Sequence, residues 1–239
     1  VDHAGIRFEG ALDKFLAKED LSKQKLGREK WLERAWKFKD EVYKSFHDTW
    51  TVFGISADWD REVFTLEPKV SRAVLTEFQT FWDQDLLYKG AYIVQWCPKC
   101  GTAIEDIEME YEEKKEKLYF IKYNFAGTAG KESITIATAR PETIYADVAI
   151  AVHPDDPRYK TAIGREARKP LYARGAEGED RIKVIADSRV DMEFGTGALK
   201  ITPGHDPLDY KIGKDHSLPI YHAIDKTGRM TDFAGDLSG

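Results

Sequence analysis

The chain has 239 residues, of which 42% are hydrophobic and 33% charged, and it carries a formal charge of −6. That length allows one large domain or two small ones, and the composition is that of a soluble globular protein. No apolar run approaches the roughly 18 residues needed to span a bilayer, and the acidic balance excludes a surface that holds nucleic acid by bulk charge, though not a local basic groove.

Residues 1–90 read as helical. Glu29 to Phe53 carries Trp31, Leu32, Ala35, Trp36, Phe38, Val42, Tyr43 and Phe46 near the helical period, with Gly54 as the stop. Pro68 opens a further helix that carries Val70, Val74, Leu75, Phe78, Phe81 and Trp82 and ends near Gly90. Core packing is the expected role of both aromatic stripes.

After Gly90 the pattern changes to short strand-like runs punctuated by Gly and Pro: Ala91 to Trp96, Lys117 to Asn124, Ser133 to Thr138, Ala146 to Val152, Ile182 to Ala186 and Ala198 to Thr202. Short helical patches are expected at Asp155 to Ile163 and Pro207 to His216. The charge-dense Glu105 to Lys117 reads as a solvated hairpin or loop. The expected fold is α+β: a helical segment, 1–90, followed by a strand-rich domain, 91–239, with a partly closed β-barrel.

Three groupings have chemical potential. In Thr138-Ala139-Arg140-Pro141-Glu142-Thr143, a strand ends and a proline fixes the backbone, so that polar side chains can face a ligand. The same letters also suit a turn with a structural Arg140–Glu142 pair. In Phe194 to Tyr210, Lys200 and Thr202 alternate to one side of a strand. Asp206 and Asp209 follow, sharing a face of the next helix. They could jointly bind an ammonium group, a hydroxyl and a water. Alternatively, Asp206 is simply an N-cap and Asp209 a surface residue. Cys97-Pro98-Lys99-Cys100 has the spacing of half a zinc knuckle and, with only two cysteines in the chain, points to a reducing compartment. Either the remaining ligands lie outside this sequence, or the pair is simply two reduced thiols. A metal-dependent hydrolase built on His205, Asp206, Asp209 and His216 is a rival arrangement.

Longer motifs carry a family resemblance. Val1 to Ile6, Asp58 to Leu66, Trp96 to Thr102, Ala137 to Thr143, Ala149 to Pro154 with Asp156, and Gly195 to Tyr210 resemble segments of valyl-tRNA synthetases that run from the nucleotide-binding half into the connective editing domain. The His-Asp-Pro-Leu-Asp-Tyr and Arg-Pro-Glu-Thr runs favour the valyl branch over its isoleucyl and leucyl relatives. Ala139 departs from the family's frequent threonine, and Gly204 stands where the valyl branch usually has alanine. Both ends read as boundaries inside a longer protein.

The resemblance implies a post-transfer editing hydrolase that removes threonine from mischarged tRNA(Val). Asp209 would hold the substrate ammonium, and Asp206 the threonine hydroxyl, with Lys200 keeping Asp206 charged and oriented. Arg140 and Thr143 complete the implied catalytic set. Thr138, Glu142, Phe194, Thr202 and His205 fall to substrate binding, with Phe194 against the terminal adenosine. Thr143 or Thr202 would position the water. No cofactor is implied for editing, beyond a possible zinc at Cys97 and Cys100. ATP belongs to the parent enzyme, because neither His-x-Gly-His nor Lys-Met-Ser-Lys-Ser occurs here. The expected partners are the acceptor end of threonine-charged tRNA(Val) and the rest of the synthetase. A cytoplasmic monomer without a membrane partner is expected. The alternatives are an isoleucyl-type editing domain and a non-catalytic tRNA-docking module.

Overall fold

The computed structural model describes residues 1–171 and 180–239. The chain folds as two compact units, Val1–Gly90 and Ala91–Gly239.

The first unit holds three α-helices, α1 (Gly5–Ala17), α2 (Lys23–Val52) and α3 (Pro68–Asp83). Ser22 opens α2 by accepting from Lys25 N at 3.2 Å, a side-chain cap for an otherwise orphaned donor. Helix α2 therefore begins six residues before the expected Glu29, and its first turn is set off by a kink at Gly27. Leu12 and Leu16 of α1 pack on Trp31 and Ala35 of α2, forming a small core with Phe8, Phe15 and Phe38 at its margin. Beside it, α1, α2 and residues 64–66 line a cavity of about 430 Å³.

Core packing was expected of both aromatic stripes, and both need correction: in α2 only Trp31 and Ala35 are buried while Trp36 and Phe46 are each 47% exposed, and no residue of α3 is buried. Its Leu75 is 69% exposed, Phe78 57% and Trp82 54%. Helical periodicity reports that a stripe exists, but it does not supply the surface that covers it. Helix α3 also stops at Asp83 rather than near Gly90, because Asp85 turns into the left-handed region at φ 55°.

The second unit is built on a two-stranded ribbon, β1 (Gln95–Cys97) with β2 (Thr102–Ile104), and a six-stranded sheet. The sheet comprises β3 (Tyr119–Phe125), β4 (Ser133–Thr138), β5 (Ala149–Val152), β6 (Glu166–Arg168), β7 (Arg181–Ala186) and β8 (Ala198–Ile201). Their order is β4-β3-β6-β7-β5-β8, antiparallel throughout except for the parallel β5–β7 pair. The two ends of that order, β4 and β8, lie against each other, so the sheet curls into a nearly closed barrel. Gly195 makes the approach possible: a Cβ there would stand 2.7 Å from the Ala137 Cβ of β4.

All four residues of β5 are buried. Ile150 and Val152 join the larger core with Tyr123, Ile136 and Val184. Ala149 and Ala151 join a second core with Ile201 and Ile212 of helix α4 (Pro207–Asp215). Alternation along one strand thus serves two faces. The same alternation sends Ala198 of β8 into the barrel core and Ile201 toward α4, so Lys200 and Thr202 share the side of Ala198.

Several expected boundaries shift. Strand β5 starts at Ala149 and not at Ala146, because residues Pro141–Ala146 form a 3-10 turn. The helical patch expected over Asp155 to Ile163 is a series of turns, begun where Asp156 Oδ1 takes up Arg158 N at 3.0 Å in competition with a helix. Of the run Ala91 to Trp96, only Gln95 and Trp96 are in a strand. The short strands β2 and β6 were not expected, since three-residue strands carry almost no periodic signal.

Candidate functional site

Two loops that follow barrel strands create the site. Strand β4 ends at Thr138, whose Oγ1 accepts Arg140 N at 3.1 Å. Pro141 opens the 3-10 turn, and Thr143 Oγ1 donates to Arg140 O at 3.0 Å, which buries Thr143 within the turn. Arg140 and Glu142 are left half-exposed, with Nε to Oε1 at 3.2 Å. The second loop leaves β8 through Thr202 and Pro203. Asp206 then caps α4, its Oδ1 accepting from Leu208 N at 2.7 Å and Asp209 N at 3.0 Å.

The loops meet at Arg140, whose Nη1 donates to His205 O at 3.0 Å. Behind His205 the packing is tight. Ala223 N donates to His205 Nε2 at 2.9 Å, which makes that nitrogen an acceptor and assigns the ring proton to Nδ1. A Cβ on Gly204 would stand 2.3 Å from Tyr221 O, so only glycine fits here without movement.

Beneath the loops lies a buried polar network. Asp147 Oδ1 accepts from Lys200 Nζ and from Thr202 Oγ1, each at 3.1 Å, while Oδ2 accepts from Tyr123 OH. Lys200 Nζ also bonds to Thr202 Oγ1. Thr202 N in turn donates to Asp209 Oδ2 at 2.8 Å. A buried cation, two carboxylates and a phenol are thereby linked through one threonine.

Burial shifts the protonation of these groups. It pushes the Asp209 carboxyl up to about 7, aided by the charges of Asp206 and Asp147 and opposed by the Thr202 N–H and by Lys200. Asp147 is also raised, desolvation outweighing the pull of Lys200 and its hydrogen bonds. His205 is lowered to about 4, by burial first and then by Arg140, His222 and Lys200, so it is neutral at physiological pH.

The chain matches the family model described as tRNA synthetases class I (I, L, M and V) over residues 1–227. The chain belongs to the class I tRNA synthetases. Curated relatives include the valine–tRNA ligase of Aquifex aeolicus, 47% identical over all of this chain and 21% of that protein. The valine–tRNA ligases of Treponema denticola and Thermus thermophilus are each 45% identical, over 97% and 96% of this chain and 26% of theirs. The chain thus spans about a quarter of the length of the curated relatives it matches. The solved structure described as "The crystal structure of GlLeuRS-CP1" aligns at a TM-score of 0.34 and 16% identity, covering 41% of this chain and 59% of that one.

In this class I synthetase chain the structure gathers Thr138, Arg140, Glu142, Thr143, Lys200, Thr202, His205, Asp206 and Asp209 into one hydrogen-bonded region. Phe194 lies on the loop before β8 and is 62% exposed. One expected pairing is corrected: Lys200 bonds to Asp147 and Thr202, not to Asp206, whose Oδ1 is taken up by the helix cap. The reason is geometric. Lys200 turns into the barrel with Ala198, whereas Asp206 is exposed at the start of α4. Thr143 Oγ1 is engaged by its own turn.

Sequence reading missed Asp147 and Tyr123. The signal for Asp147 was a lone acid inside the apolar run Ile144-Tyr145-Ala146-Asp147-Val148-Ala149-Ile150, since a charge buried in such a run needs a partner.

Cys97 and Cys100 share one turn, with Cys100 N donating to Cys97 Sγ at 3.4 Å. A closed zinc site takes four ligands, and among the described residues no three His, Cys, Asp or Glu side chains converge as a metal site. Two thiols do not fit a complete zinc centre. The rival grouping of His205, Asp206, Asp209 and His216 is not assembled either: His216 Nε2 lies 3.0 Å from Asp187 Oδ2, and His205 Nε2 accepts from the backbone.

Proposed function

We propose that this chain is the editing part of a valine–tRNA ligase and hydrolyses threonine from mischarged tRNA(Val). The observation that carries the reading is the Arg140–His205 bond, which brings the Arg-Pro-Glu-Thr turn and the acid pair to one place, with a carboxylate buried among hydrogen-bond donors.

Threonine and valine are near-isosteres, and an apolar synthetic pocket rejects the added hydroxyl only about a hundredfold, as is known of valyl-tRNA synthetases. A second, polar site reverses that preference if the bound aminoacyl end itself covers a polar group, because a group so covered and left without a partner by valine costs about 1–3 kcal/mol. In this reading Asp206 accepts from the threonine hydroxyl through the oxygen its helix cap leaves open. Asp209 pairs with the ammonium group, whose positive charge draws the raised carboxyl back into its ionised form. The exposed Phe194 ring offers a stacking face for the terminal base. Water attacks the ester carbonyl, the bond to the ribose oxygen breaks, and free threonine and tRNA leave. Positioning of a labile ester supplies much of the rate.

Deacylation of Thr-tRNA(Val) and Val-tRNA(Val) by the 239-residue chain, with Asp209→Ala alongside, tests the reading. Rapid loss of threonine only, abolished in the folded variant, is expected. A variant as fast as the parent chain removes the assignment.

A further inference from the structure

We propose that Arg158, oriented by Asp156, and Tyr159 are positioning residues for Phe194, because they fasten the loop that carries it on both sides of the ring. The consequence rests on the hydrolase reading, in which that ring stacks on the terminal base; the fastening itself does not.

The arrangement starts from strand pairing. Strand β5 runs antiparallel to β8, with Val152 opposite Ala198. The turns that leave β5 and the loop that enters β8 therefore lie at one end of the pair. That loop has little apolar hold of its own: Val190 and Ala198 are buried, but residues 191–196 are all exposed or partly exposed. It is held instead by two of its main-chain carbonyls, both taken up from the turns after β5. Arg158 Nη2 donates to Met192 O at 2.7 Å, and Tyr159 OH donates to Thr196 O at 2.7 Å. Those carbonyls stand two residues before and two residues after Phe194. Gly197 N donates to Phe194 O at 2.9 Å, which closes a tight turn.

Arg158 is itself held. Asp156 is buried, and its Oδ1 accepts from Arg158 N at 3.0 Å and Nε at 2.9 Å, while Oδ2 accepts from Nη2 at 2.6 Å. Nη2 has two hydrogens, one for Asp156 and one for Met192 O. The planar fork thus fixes where the second hydrogen points, which a flexible ammonium would not do. The bonds from Arg158 hold the Asp156 carboxyl below the usual range, so the pair stays ionised at neutral pH. The fit is close: a Cβ on Gly197 would stand 2.3 Å from Arg158 Nη2 and 2.9 Å from Met192 O. Stacking a base on a ring presented by a fastened loop costs less ordering entropy than on a free loop.

The test is a kinetic cycle on deacylation of Thr-tRNA(Val) with Arg158→Met, Phe194→Ala and the double variant, all in the whole chain. Stacking is made equally in the ground and transition states, so Arg158→Met should raise KM by about fivefold with kcat nearly unchanged. In the Phe194→Ala background the same substitution should raise KM no further. An unchanged KM, a loss confined to kcat, or a rise of the same size in both backgrounds overturns the proposal. Tyr159→Phe removes only the hydroxyl and keeps the ring against the barrel core, so it repeats the cycle if Arg158→Met does not fold. Hydrogen exchange gives a readout that needs no substrate. The Gly197 amide should exchange about tenfold faster in either variant, relative to the Ile150 amide of β5 in the same protein. An unaltered ratio also overturns the proposal. If the unaltered chain leaves Thr-tRNA(Val) intact, the hydrolase reading fails, and the exchange ratio alone decides whether Arg158 and Tyr159 fasten the loop.

Discussion

Thr202 donates its main-chain N–H to Asp209 Oδ2 at 2.8 Å while its hydroxyl bonds to Asp147, so one residue links two buried acids. Asp209 is only 5% exposed. The burial that makes it a candidate for ammonium binding also makes it costly to ionise.

That cost has a sign in stability. The Asp209 carboxyl is raised to about 7 in the folded chain, against about 3.9 for an unfolded aspartate. Between these values the folded state holds a proton that the unfolded state has released. Its contribution is therefore full below about pH 4 and is lost as pH rises through 7. Asp209→Asn, which keeps an acceptor for Thr202 N, should raise the melting temperature more at pH 8 than at pH 5. Linkage puts the gain at up to about 4 kcal/mol. Equal effects at both pH values would mean that Asp209 is not raised.

If the chain is the proposed hydrolase, the same carboxyl sets its pH profile. At substrate concentrations well below saturation, deacylation should increase with pH through a midpoint near 7, as Asp209 ionises. A profile flat from pH 5 to 8 would show that this group does not govern substrate capture.

Asp206 caps α4 and, in the proposed reading, also binds the threonine hydroxyl, and one substitution separates the two roles. Asparagine caps a helix about as well as aspartate, so Asp206→Asn should leave thermal stability nearly unchanged while slowing threonine removal. Asp206→Ala should additionally cost about 1 kcal/mol by losing the cap to Leu208 N and Asp209 N. Hydrolysis by Asp206→Asn at the parent rate would assign the residue to capping alone.

Gly204 is matched to its neighbour. Alanine there would place a methyl 2.3 Å from Tyr221 O, and Gly204→Ala should destabilise by about 1–3 kcal/mol through forced backbone movement. Denaturant unfolding of the variant checks this, and an unchanged midpoint would show that Tyr221 yields freely.

Lys200 is expected to matter for folding as well as for editing. Removing one member of a buried ion pair leaves the other charge uncompensated, and Lys200→Met should cost about 3–5 kcal/mol, read by thermal or urea unfolding.

Much of this protein was legible in its letters because the information is local. Ser133 to Thr138 reads as a strand from its alternation, Pro207 marks a helix start, and the cap at Asp206 follows from its place just before that proline. The α+β architecture followed from such runs, as did the shared side of Lys200 and Thr202. Partner choice depends instead on the closing of the sheet. Lys200 and Asp147 are 53 positions apart, and β4 meets β8 only when the barrel curls. Reading along the chain pairs Lys200 with the acid six residues on, whereas the fold turns it inward to Asp147. Side-chain periodicity tells which way a residue points from its own strand. Which charge it meets depends on what the rest of the fold brings to that side, and in a low-dielectric interior that meeting decides ionisation.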